Sequence, residues 1–381
     1  MIQNLQLQNF RNCQRASYTL GDGLIFITGN NGAGKTTILE ALGLISFLKS
    51  FRLAHDREML HFGASFYRIE AEYQDGNETH KIAIAYGRNT LDEKAPAQKK
   101  YTFDDHPNEK AANIIGRVPS VVLSPDDMRI VAGDHTDRRR FLDLLLSMLY
   151  PAYFMALQHY HRTLKLRSQT LKTKPDEALL TAIDRELALA GVALLGKRRQ
   201  FIPEFGTPFG ESVKKISGGR DVWRIVYKGD TGKVQTIDDY LQMLKEHRAN
   251  DLRLKQTTSG IHRDRIYFLQ EADFSKGEGF TAADFTEREI RAIGSQGQKR
   301  TAALALKAAQ FTYMREKLGK TPILLIDDIL NELDLSRRAQ FIEFLGETKI
   351  GQVFFTTTDL VGMQDFLKSL QGTTPIQQIE L

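Results

Sequence analysis

The segment Leu24-Ile25-Phe26-Ile27-Thr28-Gly29-Asn30-Asn31-Gly32-Ala33-Gly34-Lys35-Thr36-Thr37 changes character twice. It opens as a short apolar, β-rich run, which reads as a buried strand. A glycine-rich loop follows, and the chain then continues into an apolar helical pattern from Ile38 to Leu48. Within it, Gly29 and the Gly34-Lys35-Thr36 triplet have the spacing of a phosphate-binding P-loop in the strand–loop–helix context that motif requires. The glycines let backbone N–H groups turn toward phosphate oxygens, and the helix N-terminus adds the positive end of its dipole. Lys35 brings a point charge to the β- and γ-phosphates, and Thr36 a hydroxyl for Mg²⁺. A glycine turn that carries a lysine and a threonine by chance is the competing interpretation, and the flanking strand and helix argue against it.

A second apolar run, Pro322-Ile323-Leu324-Leu325-Ile326-Asp327-Asp328, ends in two acids. Many strands end in Asp at a turn, so alone this pattern is weak. Beside a P-loop it predicts a strand whose Asp327 holds the metal shell and whose Asp328 acts as catalytic base on the attacking water. Asp is one methylene shorter than Glu, which predicts slow hydrolysis. A third element, Ile293-Gly294-Ser295-Gln296-Gly297-Gln298-Lys299-Arg300, leads into an alanine-rich helix. Ser295 stands where an N-cap belongs. A plain capped helix is one interpretation of this element, and an anion site at its N-terminus is the other.

The surrounding chain sets the frame. Its 381 residues are 41% hydrophobic and 26% charged, within the range of a folded protein of about two domains. Lys and Arg number 52 against 47 acids, a net charge of +5, which permits a phosphate-rich partner without requiring one. The single cysteine, Cys13, excludes a disulfide framework and a cysteine-based zinc site, which points to a reducing interior. The most apolar run, Leu144 to Gln158, is too short to span a bilayer and contains Pro151. Residues 1–11 alternate in the manner of a strand rather than a signal peptide, so the expected location is cytoplasmic. Alternating runs at Phe66–Tyr73 and Ile82–Tyr86, with Asp75-Gly76-Asn77 between them, predict strands joined by a turn. From Arg129 to Asn250 the pattern is mostly helical, with 21 Lys+Arg and 14 Asp+Glu, a net +7. This leaves the rest of the chain at −2. The basic surplus reads either as an ordinary solvated helical surface or as contact with nucleic-acid phosphates.

The order of P-loop, Ser-x-Gly-Gln element and acidic strand is that of the ATP-binding-cassette (ABC) class. Together with several longer matches, it resembles the RecF family of bacterial recombinational-repair ATPases, relatives of SMC heads. The matching pieces include Asn9-Phe10-Arg11-Asn12, the P-loop, Ser124-Pro125-Asp126-Asp127-Met128 and Arg138-Arg139-Arg140-Phe141-Leu142-Asp143. They continue with Gly260-Ile261-His262-Arg263-Asp264, Ser295-Gln296-Gly297-Gln298, Asp327 through Asp334, and Phe355-Thr356-Thr357-Thr358. The resemblance implies an α/β ABC-ATPase head with a β-rich N-terminal lobe and an inserted, mainly helical arm. The implied division is 1–128 and 251–381 for the head and 129–250 for the arm. It implies an ATP-dependent homodimer that binds double-stranded and gapped DNA and works with RecR and RecO to load recombinase, with no membrane partner.

The same resemblance implies that Asn30, Asn31, Gly32, Ala33, Gly34, Lys35, Thr36, Thr37 and Arg11 contact ATP. Ser295 and Gln298 would reach the ATP of the partner subunit, and Glu332-Leu333-Asp334 would cross the dimer interface. Arg52 and Arg57 read as further basic residues near the phosphates or as surface charge. The family's usual Gly-Pro-His-Arg-Asp-Asp is Gly260-Ile261-His262-Arg263-Asp264-Arg265 here, and its usual Arg-Asn in the arm is Arg167-Ser168. Arg138–Arg140 are expected to pair with Asp134 and Asp137 or to grip DNA, His262 to be an internal histidine, and Trp223 to lie in the core. The alternatives from other classes are a transporter motor subunit and an SMC-like chromosome-maintenance ATPase. The first lacks its switch histidine, in whose place stand Thr356–Thr358, and the second lacks sustained heptads.

Overall fold

A computed structural model describes residues 1–88, 96–173, 176–270, 284–328, 337–341, 343, 351–358 and 375–381. The chain divides into two compact units, Met1–Asp127 with Gln310–Leu381, and Met128–Ala309.

The first unit holds two sheets. One is antiparallel, formed by β1 (Ile2–Phe10), β2 (Cys13–Thr19), β4 (Phe66–Asp75), β5 (Glu78–Gly87), β6 (Gln98–Phe103) and β7 (His106–Pro107) in the order β2-β1-β4-β5-β6-β7. The other is parallel, with β3 (Leu24–Thr28), β8 (Ser120–Leu123), β11 (Ile323–Asp327), β12 (Val353–Thr357) and β13 (Ile376–Glu380) in the order β13-β3-β12-β11-β8. Helix α1 (Lys35–Phe47) touches strands of both sheets and is buried on nearly every side. That explains a sequence apolar all round rather than amphipathic. The short α2 (Ala111–Ile114) packs on β6. The expected strands over 1–11, 24–28, 66–73, 82–86, 322–328 and 353–358 are present, with ends that agree or are shifted by up to four residues. Strand β13 has no counterpart among those expectations.

The second unit is mainly helical. It contains α3 (Met128–Ala132), α4 (His135–Leu149), α5 (Pro151–Thr170), α6 (Glu177–Ile216), α7 (Ile237–Leu254), α8 (Asp284–Glu287), α9 (Ile290–Ile293) and the first part of α10 (Gln296–Leu318). Caps mark the helix starts: Asp134 accepts the Thr136 N–H at 2.6 Å, Pro151 opens α5, and Thr236 and Asp239 form a capping box on α7. Phe201, Phe205 and Phe209 follow one face of α6 at four-residue spacing, and all three are buried. The described residues of 251–309, expected with the C-terminal head segment, pack in this unit, where β10 (Arg265–Gln270) pairs antiparallel with β9 (Trp223–Lys228). Trp223 is buried as expected.

Arg138 and Arg139 take structural roles, though with other hydrogen-bond partners than expected, while Arg140 is exposed and has the expected Asp137 as its nearby opposite charge. The Arg138 side chain is 1% exposed and pairs with Glu289, while its remaining N–H groups reach the carbonyls of Ile130, Val131 and Ile266. Arg139 donates to the Asp264 carbonyl at 2.7 Å. Asp134 is occupied as a helix cap, and Asp137 lies 3.9 Å from Arg129. The packing of α4 against α3 and the start of β10 therefore gives these two arginines backbone carbonyls as acceptors. His262 is internal as expected. Its Nε2–H donates to the Thr257 carbonyl at 3.1 Å, so Nδ1 accepts the Tyr160 hydroxyl at 2.9 Å.

Candidate functional site

The P-loop turns at the carboxyl end of β3, where parallel sheets bind their ligands. Three of its residues need glycine. Gly29 has φ 146° and Gly34, which caps α1, has φ 109°. A Cβ on Gly29 would come within 2.7 Å of the Leu381 carbonyl oxygen, and one on Gly34 within 3.0 Å of the Asn12 amide. Gly32 has φ 84° in open space, so there the backbone conformation alone selects glycine. Asn30, Asn31, Gly32 and Ala33 are exposed around the loop. The Lys35 ammonium folds back over it and donates to the carbonyls of Gly29 at 2.7 Å and Asn30 at 2.9 Å. The side chain is thus nearly buried, with its charge held at the mouth of the loop.

Strands β3, β12 and β11 are neighbours, with Thr356 in register with both Ile27 and Asp327. This register converges three side chains. Thr36 Oγ1 and Thr356 Oγ1 each donate to Asp327 Oδ1 at 2.9 Å. Burial pushes the Asp327 carboxyl above its ordinary range, and the hydrogen bonds from Thr356 and Thr36 and the charge of Arg52 oppose that push. A carboxylate and a hydroxyl so placed are hard oxygen donors, which suit Mg²⁺. Asp328 follows in a left-handed conformation, φ 49°, with its N–H on Thr356 Oγ1 at 3.0 Å and its side chain exposed beyond the strand end. The two acids therefore face different surroundings despite being adjacent.

The β1–β2 turn braces the loop. Asn12 Nδ2 donates to the Gly32 carbonyl at 3.2 Å, and Asn12 Oδ1 accepts from Thr37 Oγ1 at 2.8 Å. Arg11 pairs with buried Glu40 through Nε at 2.8 Å and Nη2 at 2.6 Å, and it donates through Nη1 to the Glu58 carbonyl. Its guanidinium thereby ties the turn to α1. Asn12, Glu40 and Thr356 were absent from the candidate site residues. Each carries a signal only through the family resemblance: Asn12 and Glu40 lie in or beside the matching N-terminal pieces, and Thr356 occupies the position where a transporter has its histidine.

Ser295 caps α10 as expected, and the cap is reciprocal. Gln298 N–H donates to Ser295 Oγ at 3.2 Å, and Ser295 N–H donates to Gln298 Oε1 at 2.9 Å. The Glu332-Leu333-Asp334 loop lies outside the described residues. Among the described residues, no helix is long and apolar enough to cross a membrane.

A glycine loop between a central parallel strand and a buried helix, with an acid at the end of a nearby strand, defines a P-loop head of the ABC type. The chain belongs to the RecF/RecN/SMC N terminal domain family, which matches it over residues 1–379. It is similar to the DNA replication and repair protein RecF of Leptospira interrogans serovar Lai, 35% identical over 98% of this chain and 96% of the relative. The solved structure of the recombination mediator protein RecF with ATP superposes with a TM-score of 0.82 at 26% identity, covering 94% of this chain and 92% of that one. An SMC head bound to the winged-helix domain of ScpA shares the fold at a TM-score of 0.50 and 14% identity, over 95% and 91% of the two chains.

Proposed function

We propose that this chain is an ATP-gated DNA-binding protein of recombinational repair and replication, and a slow ATPase. It works in the cytoplasm with RecO and RecR to load recombinase at gapped duplex DNA. The observation that carries the reading is the meeting of Thr36, Asp327 and Thr356 beside a lysine-closed P-loop. In support, the relatives are named DNA replication and repair protein RecF, and a RecF structure with ATP has the same fold.

In this reading the backbone of residues 30–37 cradles the phosphates, and Lys35 exchanges its two carbonyl partners for phosphate oxygens. Thr36 and Asp327 hold Mg²⁺, which neutralises charge on the phosphates when bound. Asp328 orients the attacking water and accepts its proton; its short side chain keeps hydrolysis slow. Ser295 of one copy donates its hydroxyl to the γ-phosphate on the other, so ATP joins two copies and hydrolysis releases them. The helical arm supplies the basic surface for DNA.

Light scattering with ATP and with ADP tests this reading. Wild type dimerises with ATP only. Lys35→Met lowers nucleotide affinity by about 10- to 100-fold, as expected for losing a charged hydrogen-bond donor. Ser295→Arg keeps nucleotide affinity and loses the dimer. A chain whose mass is the same with either nucleotide contradicts the reading.

A further inference from the structure

The side chain of Gln298 is used at both ends. Its Oε1 accepts the Ser295 N–H at 2.9 Å, and its Nε2 donates to Asp221 Oδ1 at 2.9 Å. The amide orientation is forced: reversed, it would set NH₂ against an N–H and oxygen against a carboxylate. Asp221 is itself held. It is 8% exposed, and its N–H donates at 3.1 Å to Oγ of Ser217, the residue that ends the 40-residue helix α6. Two residues later β9 begins. A polar chain therefore runs from the end of α6 through Ser217, Asp221 and Gln298 to Ser295. Because Ser295 Oγ accepts the Gln298 N–H, it keeps its own proton to donate outward.

We infer that Gln298 is a positioning residue, clamped by Asp221, that aims Ser295 and couples it to the end of the arm helix α6. This rests on the reading that Ser295 meets the γ-phosphate of a second copy, and it changes the part Gln298 plays there. With both ends of its amide occupied, Gln298 orients the serine rather than touching nucleotide. The charged acceptor Asp221 makes the Gln298 bond stronger than a neutral pair would, so a displacement of the α6 end is passed to the first turn of α10.

An exchange of partners separates this role from direct contact. Gln298→Glu keeps an oxygen for the Ser295 N–H, since Ser-x-x-Glu is also a capping box. It sets a second negative charge against Asp221. Asp221→Asn alone retains an acceptor for Gln298. The double variant faces a carboxylate with an amide donor again, the original pair reversed. The readouts are dimer dissociation with a non-hydrolysable ATP analogue by light scattering, and nucleotide affinity of the monomer by fluorescence titration.

Expected results are dimerisation weakened about tenfold or more by Gln298→Glu, near wild type in Asp221→Asn, and restored in the double variant, with nucleotide affinity constant throughout. Unweakened dimerisation in Gln298→Glu overturns the inference. So does a double variant as weak as Gln298→Glu, which would place Gln298 against the nucleotide. Failure of the wild type to dimerise strikes the underlying reading instead, and the clamp is then judged without a dimer. Asp221→Ala should speed amide hydrogen exchange over Ser295–Lys299 about tenfold, and unchanged exchange would refute the clamp.

Discussion

Asp327 shows how a single carboxylate trades stability for readiness. Burial raises its pKa, so the folded chain prefers it neutral, and its charge costs folding free energy at neutral pH. The cost is relieved as pH falls through the raised value. Asp327→Asn should therefore raise the melting temperature of the nucleotide-free chain at pH 7, by about 2–4 °C, while removing ATP hydrolysis. The gain should shrink at acid pH, and calorimetry at two pH values measures it; a variant less stable than wild type at pH 7 would contradict the assignment. His262 works in the opposite sense. Burial pushes it down to about 4, so the folded state resists its protonation. The stability linked to it is complete above pH about 6.5 and drains away as pH falls toward 4, with a slope of at most ~1.4 kcal/mol per pH unit. In urea titrations at pH 7.5 and 5.0, His262→Gln should lose less stability between the two than wild type does.

Among the elements, α5, α6 and α7 are joined by charge as well as by apolar packing. Arg167 on α5 is fully buried and donates to Asp184 of α6 and Asp251 of α7, both at 2.6 Å. Arg248 of α7 also reaches Asp184 at 2.6 Å. Asp251 accepts in addition from the Thr258 N–H and hydroxyl, which fixes the chain just before the Gly260–Asp264 segment. Removing Asp251 leaves buried Arg167 with Asp184 as its one acid and strips the Thr258 N–H and hydroxyl of their acceptor, so Asp251→Ala should cost about 3–5 kcal/mol in urea unfolding. A cost below about 1 kcal/mol would show that water reaches Arg167. The replacement of the family's Arg-Asn by Arg167-Ser168 leaves this cluster complete, because every bond is made by the arginine.

On the scale of the whole molecule, the charge distribution bears on the proposed partner. The surplus of +7 over residues 129–250 falls entirely within the helical unit, while several of its arginines are spent internally: Arg138, Arg167 and Arg198 are all buried. Contact with DNA must come from the exposed remainder. Gel shifts of duplex and gapped DNA with ATP, with ADP and without nucleotide should show ATP-dependent retention. That retention should weaken about tenfold or more between 50 and 200 mM salt, as for two or more phosphate contacts. Binding indifferent to salt would remove the basic surface from the mechanism.

The sequence by itself determined what is local. The glycine spacing, the apolar run before it and the acids after Ile326 read directly as loop, strand and strand end, because backbone sterics and burial act within a few residues. The serine cap of α10 was legible for the same reason. Tertiary structure alone decided which distant residues meet. Thr36 and Asp327 are 291 positions apart, and Gln298 and Asp221 are 77 apart. Neither Thr356 between two strands, nor Glu40 beneath Arg11, nor Asp221 behind Gln298 follows from periodicity. Their roles depend on the order and register of strands and on the packing of helices, which are set by long-range burial and hydrogen bonding across the fold.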